Sequence, residues 1–382
     1  MAIDFKSTST NSSLIKSYDF SKVTSAEIAD ISSAQIKLLS ADQVAAISTD
    51  AIKAIDSSAL KGLTADQMLA LIESQIKAFD PTSQFANLGD TQVKALSSGQ
   101  MGMLTTAQVE ALTTLQAKVL SATQVAGLST TQLGALETAD LQALSALAVK
   151  GLSSSQMTAL SSDQVVALTT ADIIALTTAQ AESITTQQAF ALTTAQLVAM
   201  ETADFAAITT DDIAALQTAQ VLALGTAQIV ALTTGQAQAL TTQQGYALGT
   251  AQLVALETGD LIALATANML TLTTTQTAAL MTAQVFALTS AQMVGLGTIN
   301  TATLGSTQLQ AIETANMAAL TSDGLRALRS LQVNALRTDQ IAALTTRQVA
   351  NLSSVQISGL STDQVVAIES SDIAALSTDN LR

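Results

Sequence analysis

From Leu88 to Leu376 every eighth residue is Leu, Ile or Met, through 37 consecutive positions. Few folds accommodate this spacing. An α-helix turns about 100° per residue, so an apolar position repeated every eight residues drifts about 80° per repeat, and one unbroken helix would have no fixed buried face. A strand fares little better. Positions five and eight of the repeat are both apolar; they would point to opposite faces of a strand but are i, i+3 neighbours on a helix. The period therefore predicts a short helix inside each octad, begun afresh at every repeat.

With the leucine numbered eighth, the consensus octad is T-T-A-Q-V-x-A-L, as in Gly225-Thr226-Ala227-Gln228-Ile229-Val230-Ala231-Leu232. The same pattern runs from Thr24 to Phe79, with Ile31, Leu39, Ile47, Ile55, Leu63, Leu71 and Phe79 in eighth place. One inserted residue at Asp80, before the only proline, Pro81, shifts the frame, and the whole array counts 44 octads. Thr at position one with Gln at position four is a capping box, in which each side chain satisfies a free backbone N–H of the other residue. The preceding Leu can pack on the Val at position five as a hydrophobic staple. Ala at positions three and seven favours propagation, and the β-branched threonines mark the joint between helices.

A helix of about six residues is not stable alone, so stacking is compulsory. The expected fold is all-α: a superhelical solenoid of very short helices, one per eight-residue repeat. The alternative is a β-solenoid with Thr and Gln ladders, against which stand the poor strand propensity of Ala and Gln and the scarcity of Gly turns. Residues 1–23 read as a polar N-terminal tail or cap, and residues 24–382 as a continuous octad-repeat solenoid. The chain stops inside an octad at Asn380-Leu381-Arg382, as expected of a fragment of something longer or of an end that docks on another copy.

A second, 56-residue period overlies the first. Glu201, Glu257, Glu313 and Glu369 each open an octad and lie seven octads apart, with Asp204, Asp260, Asn316 and Asp372 in fourth place. Asp212, Asn268 and Gly324 replace Gln in the octads that follow. Glu137 opens an earlier block one octad longer, and Pro81 precedes it by the length of seven octads. Phe190 and Tyr246, again seven octads apart, put an aromatic at position six after a small residue, Ala189 or Gly245. Seven octads read as one block, either duplicated or matched to a superhelical turn.

Composition narrows the function. The chain has no Cys, His or Trp. Disulfides, thiolate or imidazole metal ligands and Cys/His or Ser/His nucleophiles are thereby excluded. A net charge of −15 and a pI near 4.2 oppose binding to phosphate backbones. No Lys or Arg lies between Gly151 and Leu325, which leaves that stretch no basic membrane-surface face. Mean hydropathy is high at +0.39, yet apolar runs such as Val165-Val166-Ala167-Leu168 are each closed by Thr or Ser. None approaches the roughly 18 residues of a membrane span. The start, Met1-Ala2-Ile3-Asp4-Phe5-Lys6, reads as no cleavable signal peptide.

The remaining features each have a structural explanation. An array of position-four amides could bind ligands, but the capping box already requires Gln there. Glu201 and Asp204 could coordinate calcium, yet no glycine-rich calcium loop is present and acids are favoured at helix N-termini in any case. Asp211-Asp212, the adjacent acid pair, reads as a solvated face. Asn11-Ser12-Ser13 and Asn351-Leu352-Ser353 fit a short glycosylation sequon of low specificity. Threonine hydroxyls could order water or sugars, though joints and caps demand Thr regardless. No catalytic, cofactor-binding or metal-ligating residue is singled out, no cofactor is expected, and the chain reads as a non-enzyme.

Ser361-Thr362-Asp363-Gln364-Val365-Val366-Ala367-Ile368 resembles the first helix of a transcription-activator-like effector repeat, over eight residues only; the second helix and basic surroundings of those repeats are absent. More broadly, the Thr/Ala/Gln-rich octads of residues 24–382 resemble repeat regions of very large secreted or surface proteins of Gram-negative bacteria, often described as adhesin-like. That resemblance implies a structural, self-associating repeat protein of the cell surface or extracellular matrix, a stalk, layer or filament component exported without a cleavable signal. The alternatives are a solenoid binding scaffold presenting a curved face to a peptide or glycan partner, and a cytoplasmic address. Expected partners are further copies of the chain and a cell-surface glycan or protein, with no nucleic acid and no transmembrane segment.

Overall fold

A computed structural model describes residues 3–6 and 12–376. Asn11 of the first sequon and the terminal Asn380-Leu381-Arg382 lie outside the described residues. Among those described there are 43 α-helices, two 3-10 turns and no strand, which sets aside the β-solenoid. Each α-helix has four to six residues, except Ser290–Thr303 with 14. That long element is two octads joined across Gly297, whose φ of 67° is the only positive one among the described residues. A side chain is disfavoured in that region of φ/ψ, so glycine is what permits the joint.

The octad Thr193–Met200 shows why the chain restarts. Thr193 N donates to Gln196 Oε1 at 2.9 Å, and Gln196 N donates to Thr193 Oγ1 at 3.2 Å. The helix Thr194–Ala199 follows, and both Thr193 and Met200 have extended backbones. Two consecutive extended residues, positions eight and one, therefore separate one helix from the next, except at the Gly297 joint. The chain turns there and presents positions four, five and eight inward along the array, until the last octads, where Val365 and Ile373 at position five are exposed.

The chain divides into two compact units, Met1–Ala207 and Ile208–Arg382. Within each, a helix packs on the third helix after it, as Thr170–Ile174 does on Thr194–Ala199 and Thr218–Ala223 on Thr242–Ala247. The glutamine seam reaches further: Gln196 Nε2 donates to the carbonyls of Leu168 and Val165, 28 and 31 residues earlier, both at 2.8 Å. A turn thus takes between three and four octads. Stacked helices lie three octads apart and the seam bond spans 28 residues, so the 56-residue block is longer than one turn.

The first unit opens on residues that are not octads. Ile3, Phe5, Ile15, Phe20 and Val23 are buried, and Phe20 packs edge-on against Tyr18 with centroids 5.4 Å apart. Gln35 Nε2 donates to the Phe5 carbonyl, and Gln43 Nε2 to those of Ile15 and Tyr18. This segment supplies the acceptors that the first seam glutamines would otherwise lack. Further on, the inserted Asp80 heads a turn in which its Oδ1 accepts from Ser83 N at 2.7 Å and from Ser83 Oγ at 2.6 Å. Seam offsets that cross it lengthen by one residue, from Gln84 to Ile55 (29) through Gln108 to Phe79 (29), and return to 28 at Gln116 to Leu88. The extra residue is absorbed in one loop.

Candidate functional site

Position four carries more than a cap. Sequence reasoning gives its Gln one partner, the N-cap N–H of its own octad. The structure buries that residue, with Gln196 2% exposed, and uses both ends: Oε1 closes the local capping box while Nε2 bridges to the preceding turn. The bridge satisfies backbone carbonyls that the extended joint leaves without helical partners. The recurrence of Gln in nearly every octad was the available signal, since a residue needed only as an exposed cap could be Glu as readily, as at Glu27.

Position six points outward and follows a different offset. Three of its polar residues bond the carbonyl 25 residues ahead: Thr158 Oγ1 to Ser183, Gln310 Nε2 to Ala335 and Asn334 Nδ2 to Gly359. Where it is apolar it stays in solvent. In the second unit Leu222, Tyr246, Leu270 and Val294 recur in every third octad, on successively packed helices, and are 49–64% exposed. Between the first two lies an apolar cavity of about 800 Å³, lined among others by Ala219, Leu222, Thr242, Tyr246, Ala247 and Thr271. Tyr246, singled out by its spacing from Phe190, thus belongs to a groove. Phe190 is exposed in the first unit, in a row with Val166.

The acids divide by position. Glu137, Glu201, Glu257 and Glu369 are exposed, whereas Asp140, Asp204, Asp260 and Asp372 are buried. Burial, with a smaller contribution from Glu137, pushes the Asp140 carboxyl up to about 6. Asp260 is also raised, chiefly by burial, with Glu257 adding to it and the Thr234 hydroxyl opposing. Asp211 and Asp212 do not converge: the first is exposed and the second is buried, accepting from Thr209 Oγ1 at 2.6 Å. Asn351 of the second sequon donates to the Arg347 carbonyl. Glycines at position seven mark close approaches; at Gly127 a Cβ would lie 2.2 Å from the Ser98 carbonyl oxygen. No helix of the described residues is long and apolar enough to cross a membrane.

These features define a helical repeat protein with a solenoid fold, whose outward chemistry is confined to position six and to a few acidic octads. The family described as ALTTAQ repeat matches residues 81–114, 133–170, 205–242, 253–290 and 309–346, and the octads there are similar to that repeat. No curated protein matches the chain. Among solved structures, the leucine-rich repeat-containing protein LegL7 from Legionella pneumophila is similar at 10% identity over 62% of this chain and 78% of that one, with a TM-score of 0.15. With so low a score, the fold rests on the chain's own geometry.

Proposed function

We propose that this chain is a non-catalytic scaffold that binds through its position-six row, and that its partners include other copies of itself. The observation that carries the reading is the exposed row Leu222, Tyr246, Leu270 and Val294 with its apolar groove. Contiguous apolar surface of this kind marks interaction sites on soluble proteins, and an exposed aromatic flanked by aliphatic side chains suits the anchor of an interface. The absence of Cys and His supports a non-enzymatic role. An extracellular or cell-surface address, as a stalk, layer or filament component, fits the compositional resemblance, and the row would then join neighbouring copies.

Light scattering after size exclusion, over a range of protein concentrations, tests self-association. The native chain should form oligomers that the double variant L222A/Y246A loses, with its far-UV spectrum unchanged. A native chain that remains a monodisperse monomer at every salt and calcium concentration would leave the row to a foreign peptide or glycan. Immunogold labelling of intact against permeabilised cells tests the address.

A further inference from the structure

The seam between turns is built to receive a donor. Where asparagine replaces the position-four glutamine it still reaches the carbonyl 28 residues earlier: Asn300 Nδ2 to Leu272 at 2.9 Å, Asn316 to Leu288 at 2.8 Å and Asn268 to Leu240 at 3.4 Å. Asp260 and Asn316 sit in the same frame. Ser290 Oγ lies 2.6 Å from Asn316 Oδ1, and Thr234 Oγ1 donates to Asp260 Oδ1 at 2.9 Å, each hydroxyl 26 residues earlier. An aspartate in that frame has only a carboxylate oxygen, and no amide, to set against the carbonyl 28 residues earlier, which for Asp260 is that of Leu232. Acceptor then faces acceptor. Asp140, in the same register over Leu112, is 2% exposed and its Oδ2 has no partner.

The octads that create this conflict also add a second acid. Every octad opening with Glu has Asp or Asn at position four and never Gln. At Glu137 and Glu257 the side chain makes no cap hydrogen bond, and each glutamate raises the proton affinity of the buried aspartate beside it. By contrast Asp172 and Asp212 follow threonines, whose hydroxyls donate to them at 2.7 and 2.6 Å. Two carboxylates opposite a bare carbonyl are costly unless positive charge lies between them.

We propose that the Glu-x-x-Asp octads are seam sites for a hard divalent cation, calcium above all, which bridges the buried aspartate, the opening glutamate and the carbonyl that a seam glutamine would otherwise reach on the preceding turn. Glu137, Asp140 and Leu112 form one such set, and Glu257, Asp260 and Leu232 another. The spacing recurs at Asp204 and Asp372. All donors are oxygen, as calcium prefers, and calcium accepts backbone carbonyls and flexible geometry where magnesium holds its water. Among the described residues no three acidic side chains gather, so water completes the shell on the exposed glutamate side. The bound ion takes the place of the glutamine amide and ties one turn to the next.

The test uses the full chain freed of metal with chelator, titrated with calcium, magnesium or sodium chloride at matched ionic strength, and followed by calorimetry and thermal unfolding. Calcium should raise the native midpoint by about 3 °C or more near saturation, with magnesium weaker. The quadruple variant D140N/D204N/D260N/D372N, which installs the donor that Asn316 already uses, should lose the calcium response and match or exceed the native chain without metal. E137Q/E257Q, which leaves the seam hydrogen bonds untouched, should weaken calcium at the Asp140 and Asp260 sites at least tenfold and halve the number of tight sites, those at Asp204 and Asp372 being intact. The proposal fails if the native chain shows no calcium response, if the quadruple variant keeps it undiminished, or if only acidification stabilises the chain, which would put a proton in the seam instead.

Discussion

Replacing Gln196 by glutamate exchanges one NH2 group for oxygen with almost no change of shape. In the native octad that NH2 donates to the carbonyls of Val165 and Leu168 at 2.8 Å each, while Oε1 holds the Thr193 N–H. An ionised carboxylate there would keep the cap but turn negative charge on two carbonyl oxygens in a site 2% exposed. The chain avoids this by protonating the new side chain. Holding a carboxyl with an ordinary pKa of about 4.3 neutral at about pH 7.5 costs about 4 kcal/mol, at about 1.36 kcal/mol per pKa unit. That figure is the expected destabilisation. The folded pKa of the introduced carboxyl is raised, so its favourable contribution is complete below the unfolded pKa and is lost as pH rises through the folded one. Near pH 4 the neutral acid donates one hydrogen bond to the seam, and the loss relative to native falls to about 1 kcal/mol. Urea unfolding followed by far-UV circular dichroism, run on both chains at the two pH values, measures the difference. Hydrogen exchange at Thr193 and Leu168 localises it. Q196L serves as control: it loses the cap and the bridge together, by about 2–4 kcal/mol at either pH. A Q196E chain within about 1 kcal/mol of native at neutral pH, or one with the same penalty in acid, would refute the two-ended role of this glutamine.

Other octads give sharper local tests. Thr233 Oγ1 accepts from Gln236 N at 3.2 Å, and T233A should cost about 1 kcal/mol, read as faster amide exchange in helix Thr234–Ala239. G127A, although it restores the consensus alanine, should destabilise by about 1–3 kcal/mol because its Cβ would press on the Ser98 carbonyl; a midpoint equal to or above native would contradict that contact. Glu27 is held below the usual glutamate range, first by the Thr24 backbone N–H and then by its hydroxyl, with the Ile3 N–H assisting. A depressed pKa contributes stability above the unfolded value and loses it as pH falls below the ordinary range. Amide protection factors at Ile3 and Thr24, taken relative to the intrinsic exchange rate at each pH, should therefore fall in acid, and E27Q should flatten that dependence.

The repeat unit was legible in the sequence because its cause is local. An eight-residue period cannot hold one face inward along a continuous helix, and Thr at one with Gln at four specifies where each turn begins, so helices such as Thr194–Ala199 follow from the residues they contain. Leu197 and Met200 as core likewise follow from their spacing. Tertiary structure decided what depends on partners three or four octads away. The seam offset, 28 residues from Gln196 back to Leu168, depends on how consecutive extended joints rotate the chain, which no single octad encodes. From that offset came the second bond of Gln196, the conflict at Asp140, and the reading of the 56-residue period as longer than one turn. The groove at Tyr246 has the same origin: spacing from Phe190 marked the residue, but only the stacking of helices three apart placed Leu222 beside it.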